Sequence, residues 1–155
     1  MTYTVIQDIA VEAGHRLTHN PKSKCKTIHG HNFVFQFHIS CIRGLNQDEM
    51  VIDFSDVKQV IKGWMDVYFD HTMIVNQSDT RTLAFLEEDY ELGCALKRPF
   101  RFDGDPTSEN LAKFMLGKAS ELLSRDFPNV QVDKVRVWET PNCSASYEIN
   151  LDPCD

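Results

Sequence analysis

Nine consecutive residues, Phe33-Val34-Phe35-Gln36-Phe37-His38-Ile39-Ser40-Cys41, limit what this chain can fold into more than any other stretch. Read with a period of two, Phe33, Phe35, Phe37, Ile39 and Cys41 fall on one face and Val34, Gln36, His38 and Ser40 on the other. A helix would scatter these aromatic rings around its circumference, whereas a strand gathers them on a single side that needs a cover. The preceding run from Tyr3 to Ala13 is also β-like, with Ile9, Val11 and Ala13 alternating, and a polar loop rich in Lys, Pro and Asn separates the two runs. An antiparallel hairpin follows.

After Ser55 the period changes. Val57, Val60, Ile61, Trp64 and Tyr68 recur at helical spacing, Asp53 and Ser55 are available as N-terminal caps, and the pattern runs to about Phe69. A second helix is predicted after Asp105-Pro106-Thr107-Ser108-Glu109, where Thr or Ser can cap and Glu109 sits well in the first turn. Leu111, Phe114, Met115 and Leu122 form its apolar stripe, and it should stop before Phe127-Pro128. Alternation then returns in Val135, Val137 and Glu139, and again in Ala145, Tyr147, Ile149 and Leu151, with a turn at Pro141-Asn142. The predicted order is ββααββ: an α+β chain with two helices between strands two and three, organised as a single domain over residues 1–155. Residues 76–105 fit none of these patterns, and a structureless loop that long would be uncommon unless it is functional or contains a short element. One face and two edges of such a sheet stay uncovered, and Phe-rich strands make that exposure costly, so self-association is expected.

Composition excludes several classes. The 155 residues are 42% hydrophobic and 25% charged, an ordinary globular balance. With 16 Lys and Arg against 23 Asp and Glu the formal net charge is −7, which leaves no basic tract to neutralise a nucleic-acid backbone. No apolar run reaches the roughly 20 residues of a membrane span, and Met1–Ala10 lacks the basic and apolar regions of an export signal. Five cysteines, Cys25, Cys41, Cys94, Cys143 and Cys154, make an odd set without a CxxC pair, which argues against a disulfide framework and points to the cytoplasm.

Against this background a few residues stand out as carriers of chemistry. His29-Gly30-His31 leads straight into the Phe-rich strand, so a period of two places both imidazoles on one face. His15 continues the parity of Val11 and Ala13 in the partner strand, a position that hairpin pairing could bring opposite the His-Gly-His pair. Three neutral imidazoles with an open fourth position describe a catalytic zinc centre, although two surface histidines would leave the same HxH spacing. Cys25 stands between Lys24 and Lys26, which favour a reactive thiolate, or is simply a solvated loop thiol. Residues 13–47 carry Arg16, Lys22, Lys24, Lys26 and Arg43 and no acid, a local field able to steer a phosphorylated small molecule or merely a solvated basic loop. Asp70-His71 can act as an acid/base pair only if the helix has ended, since neighbours on a helix do not face each other. Otherwise His71 simply meets the helix dipole. Glu139 shares the face of Val135 and Val137, where its carboxylate can accept from adjacent N–H donors of a purine or pterin edge, or else ends the strand in water.

Taken together, Ala13-Gly14-His15-Arg16-Leu17, Cys25-Lys26-Thr27-Ile28-His29-Gly30-His31-Asn32, Asp53-Phe54, Asp70-His71, Pro106-Thr107-Ser108-Glu109-Asn110 and Trp138-Glu139-Thr140 resemble the 6-pyruvoyl-tetrahydropterin synthase and 6-carboxytetrahydropterin synthase (QueD) family over essentially the whole chain. The resemblance implies a T-fold (tunnelling fold): a four-stranded antiparallel sheet with a helix pair between strands two and three. It also implies homo-oligomers, commonly a hexamer built as a dimer of trimers, with active sites at subunit interfaces. Carried over, it implies that His15, His29 and His31 bind Zn2+, that Cys25, Asp70 and His71 are catalytic, and that Glu139 anchors the pterin with Thr107, Ser108 and Glu109 in support. The implied substrate is 7,8-dihydroneopterin triphosphate. Only three residues separate Cys25 from His29, a spacing similar to the 6-carboxytetrahydropterin synthase branch, in which acetaldehyde and triphosphate are lost on the route to queuosine and other 7-deazapurines. The segment from Asn76 to Asp105 is longer than in compact members. The competing expectations are 6-pyruvoyl-tetrahydropterin synthase activity, which eliminates triphosphate without breaking the side chain, a non-catalytic pterin-binding module, and a purely structural metal site.

Overall fold

The computed structural model describes residues 3–149. The first hairpin forms as its periodicity requires: β1 (Thr4–His15) pairs antiparallel with β2 (His29–Cys41) in a register that sets Ala13 opposite His31 and His15 opposite His29. A helical rod follows, starting as α1 (Phe54–Val57), widening through a π-helical stretch (Lys58–Lys62) and ending as α2 (Gly63–Tyr68). Asp53 is its N-cap, its carboxylate accepting from the Ser55 amide at 2.7 Å. The second predicted helix is α4 (Ser108–Ser124), capped by Thr107, and the closing hairpin is β5 (Val130–Thr140) with β6 (Cys143–Glu148). Asn150, Leu151 and Cys154 lie outside the described residues.

The expected four-stranded antiparallel sheet is incomplete. Among the described residues the sheet has six strands, with β3 (Thr72–Asn76) and β4 (Phe100–Phe102) as parallel additions at one edge in the order β4-β3-β1-β2-β5-β6. β3 runs parallel to the end of β1, pairing Ala13 with Thr72 and His15 with Ile74, and β4 runs parallel to β3. Between them α3 (Thr80–Glu91) takes up twelve residues of the segment that showed no pattern. β3 shows no alternation because Met73, Ile74 and Val75 are apolar in succession, and three residues of β4 are too few to display a period. Gly14 leaves room for the Met73 side chain of β3: a Cβ there would lie 2.1 Å from the Met73 sulfur, so a larger residue would require that side chain to move.

The core lies between the sheet and the helices. Phe33, Phe35, Phe37 and Ile39 are fully buried against Val57, Ile61, Met65 and Phe69 from the rod and Leu111, Met115 and Ala119 from α4. Phe69, Phe100 and Phe114 meet with ring centroids 5.0–5.9 Å apart, which ties β4 into the same core. The helices therefore cover the Phe-rich face completely. The uncovered face carries Asp8, Gln36, His38, Lys134 and Arg136, with Gln36 donating to Asp8 at 2.9 Å and His38 meeting the Gln36 carbonyl oxygen at 3.0 Å. The expectation that costly aromatic exposure drives self-association is corrected: the Phe rings lie under the helices, the open face is mainly polar with Ile6, Val34 and Trp138 among its residues, and the strand edges stay open. Among the described residues no helix is long and apolar enough to cross a membrane.

Candidate active site

The hairpin register brings His15, His29 and His31 together, and the surrounding backbone fixes their tautomers. His15 Nδ1 lies 2.8 Å from the carbonyl oxygen of Pro106, and His29 Nδ1 lies 2.7 Å from that of Thr27. A carbonyl only accepts, so both Nδ1 atoms carry the proton and both Nε2 atoms present lone pairs. Those two Nε2 atoms are 3.1 Å apart, a separation that two lone pairs tolerate only with a cation or a proton between them. His31 Nε2 is buried without a hydrogen-bond partner, and one nitrogen from each ring lies within 4.8 Å of the others. Burial pushes His15 and His31 below the usual histidine range, while the Glu139 charge acts in the opposite direction on both. Neutral imidazoles, orphaned lone pairs and locked tautomers are the donor set of a metal ion, and the three histidines can hold one.

A second cluster forms where the helical rod ends. The Asp70 amide donates to the Met65 carbonyl at 2.8 Å, and His71 turns into the left-handed region at φ 52°. The helix has thus ended, and the dyad closes: His71 Nδ1 lies 2.8 Å from Asp70 Oδ2. The Glu12 amide donates to Asp70 Oδ1 at 3.1 Å, and the His71 amide to the Glu12 carbonyl at 2.6 Å. Burial alone would raise the Asp70 carboxyl, but the Glu12 amide, the His71 ring and the positive charge of Lys97 outweigh it and hold it below its usual value. His71 Nε2 is 3.5 Å from Glu12 Oε2, and the imidazole opens on a cleft of about 490 Å³ lined by Glu12, Gly14, Gly30, Asn32 and Met73. Glu12 points to the face of β1 opposite Ala13 and His15, so the dyad and the histidine cluster approach the sheet from different sides.

The comparisons with known proteins converge. A sequence model of 6-pyruvoyl tetrahydropterin synthase matches residues 4–150. The chain belongs to this family. It is 32% identical over 137 residues to a Rickettsia felis protein named 6-carboxy-5,6,7,8-tetrahydropterin synthase, covering 87% of this chain and 92% of that one. Among solved structures, an uncharacterized protein from Wolinella succinogenes superposes with a TM-score of 0.75 at 23% identity, covering 96% of this chain and 98% of the other. The Caenorhabditis elegans 6-pyruvoyl tetrahydropterin synthase does so with a TM-score of 0.63 at 23% identity, covering 96% of both chains. These likenesses support the T-fold, here with two added parallel strands.

In this tetrahydropterin synthase family member the remaining residues singled out in the sequence fall in three places. Cys25 is half-buried in a single helical turn (Lys24–Lys26), held through its backbone: its amide donates to Ser23 Oγ at 3.1 Å and its carbonyl accepts from the Leu17 amide at 2.8 Å. Glu139 sits at an irregularity of the β5–β6 ladder between Trp138 and Thr140, half-buried, on a cleft of about 460 Å³ with Asp8, Asn32, Val34 and Trp138. Thr107 caps α4, Ser108 is buried and Glu109 is exposed in the first turn. Arg16, counted in the basic loop, is engaged elsewhere: its Nε lies 3.3 Å from Asp79 and it donates to Thr82 at 3.0 Å, so it anchors α3.

Sequence reasoning missed Asp105. Its buried carboxylate accepts from the Thr18 and His19 amides at 2.8 Å, from the Thr18 hydroxyl at 2.6 Å and from Asn76 at 2.9 Å. Burial would raise this group, yet those donors bring it down to about 2. It pins the loop after His15, the end of β3 and the entry to α4 at one point, next to the Pro106 carbonyl that orients His15. Its position directly before Pro106-Thr107 was visible as part of a cap sequence, but its partners come from distant segments.

Proposed function

We propose that this protein is a zinc-dependent 6-carboxy-5,6,7,8-tetrahydropterin synthase that converts 7,8-dihydroneopterin triphosphate into 6-carboxytetrahydropterin, acetaldehyde and triphosphate, a carbon–carbon lyase step toward queuosine and other 7-deazapurines. The observation that carries the reading is the metal-competent His15, His29, His31 cluster in a chain whose relatives bear that name across most of its length. Zinc, when bound, supplies Lewis-acid polarisation of a substrate oxygen.

The chain's own residues do the rest. Asp70 holds the proton of His71 on Nδ1, leaving Nε2 free to take or return a proton at the substrate side chain. Cys25 is the second proton-transfer group. Glu139 accepts from the N–H edge of the pterin, and Thr107, Ser108 and Glu109 support that pocket. The dyad and the histidine cluster lie toward different faces of one sheet, which supports an active site completed between subunits. The β6 edge and the Thr4–Glu12 edge of β1, left unpaired by strands among the described residues, are the surfaces for that assembly.

The test is mass spectrometry of the products formed by zinc-loaded protein from 7,8-dihydroneopterin triphosphate, beside a Cys25→Ala control. Acetaldehyde and 6-carboxytetrahydropterin, lost in the control, are expected. A pyruvoyl product assigns the sister activity, and unchanged substrate removes the enzyme reading in favour of a binding module.

A further inference from the structure

The long segment between β3 and α4 reaches back to the catalytic dyad through one side chain. Lys97, half-buried beyond the end of α3, places Nζ 2.6 Å from the carbonyl oxygen of Asp66 and 2.6 Å from that of Asp70. The Asp66 carbonyl lies in the last turn of the helical rod, where the final peptide oxygens have no partner within the helix and the dipole is negative, and Asp70 lies just past that end. The Asp66 side chain is already occupied by Lys62 at 2.6 Å, so Lys97 binds the backbone and not the carboxylate. Asp70 is thereby held at each of its polar atoms: its amide by Met65, its carbonyl by Lys97 and by the Thr72 hydroxyl at 3.3 Å, Oδ1 by the Glu12 amide and Oδ2 by His71.

The approach of Lys97 is itself built. Gly93 takes φ 76°, and the amides of Cys94 and Ala95 both turn back to the Asp89 carbonyl at 2.9 and 3.3 Å. Arg98 lies over the Tyr90 ring at 4.7 Å, fixing the backbone next to Lys97 against α3. At the other end of α3, Arg16 grips Asp79 and Thr82. The segment is therefore fastened at both ends, and what it delivers to the dyad is one ammonium.

We infer that Lys97 is a positioning residue for the Asp70–His71 pair, clamping the Asp70 peptide so that the carboxylate stays aligned on His71 Nδ1. His71 is 70% exposed and has the left-handed backbone of a tight turn, so the chain around it supplies little packing to keep the ring in place. The alignment rests on Asp70, and at the Asp70 carbonyl Lys97 is the shorter contact, 2.6 Å against 3.3 Å for the Thr72 hydroxyl. A small misplacement of a proton-transfer group is enough to slow a reaction by an order of magnitude or more. The inference rests on the acid/base role proposed above for Asp70 and His71.

The experiment compares wild type, Lys97→Met and Lys97→Arg by steady-state turnover of 7,8-dihydroneopterin triphosphate on zinc-loaded protein and by crystal structures of the two variants. Lys97→Met should lower kcat about tenfold with KM within about twofold, and its Asp70–His71 contact should open beyond about 3.2 Å. Lys97→Arg, which keeps charge and donors, should restore both. Wild-type kcat and an intact Asp70–His71 contact in Lys97→Met would overturn the inference, as would an arginine variant that folds but rescues nothing. Should Lys97→Met fail to fold, Lys97→Gln is read in the same way. If wild type itself turns over nothing, the enzyme reading fails while the variant structures still decide whether Lys97 holds the dyad.

Discussion

At the scale of single residues, the site is organised by backbone groups that hold side chains from behind. His15 and His29 turn their Nε2 atoms toward one another because the carbonyls of Pro106 and Thr27 accept hydrogen bonds from their Nδ1 N–H groups, and His31 contributes a nitrogen without another partner. His31→Ala should therefore lose stoichiometric metal, read by elemental analysis, together with activity. A variant that keeps one zinc per chain would break the ligand assignment. Asp105 makes a different prediction. Its carboxyl lies at about 2 when folded against an ordinary value of 3.8, so the folded state favours the ionised form. That stability is fully present above about pH 4 and is lost as pH falls toward 2, a contribution of roughly 2 kcal/mol. Denaturant titrations of wild type should show this acid loss, and Asp105→Asn, already destabilised at pH 7, should lack it.

At the scale of elements, the cap of α4 joins stability to site geometry. Thr107 accepts from the Asn110 amide at 3.3 Å, and its own amide donates to the Asp105 carbonyl at 2.8 Å, with Pro106 between them. Thr107→Ala should cost about 1 kcal/mol in urea unfolding, the usual value of such a cap. It should also weaken metal retention, because the Pro106 carbonyl that sets the His15 tautomer sits in the same turn. If unfolding shifts while metal affinity does not, Thr107 is a helix cap and nothing more. The two helices and two hairpins were legible because each runs long enough to repeat its period. β3, β4 and α3 were not: β3 carries Met73, Ile74 and Val75 in succession without alternation, β4 has only three residues, and α3 leaves Phe85 exposed, so its apolar residues mark no single buried stripe.

At the scale of the whole molecule, the sheet ends in open edges while its uncovered face is mainly polar, so association should occur edge to edge. Tyr3, Ile6, Tyr147 and Ile149 are exposed large side chains close to those edges. Light scattering should return a multiple of the 17.8 kDa chain mass, and six copies is the expected number. A fully active species of 17.8 kDa would show that one subunit holds a complete site. The sequence reading tied the cost of an open sheet face and edges to Phe-rich strands, whereas the helices cover Phe33, Phe35 and Phe37 completely, so any drive to associate comes from the edges.

The sequence by itself determined the strand and helix periods, the pairing of His15 with the His-Gly-His run, and the Asp-His pair beyond a helix end. These are local properties, set by side-chain alternation and by residues adjacent in the chain. Only the tertiary structure decided that Asp105 knots three segments, that Arg16 serves α3, and that Lys97 reaches Asp70 across 27 positions. Such contacts are made by single polar groups from segments distant in sequence, and a lone lysine or aspartate carries no period to announce its partner. They exist only once the core has brought those segments within hydrogen-bonding distance.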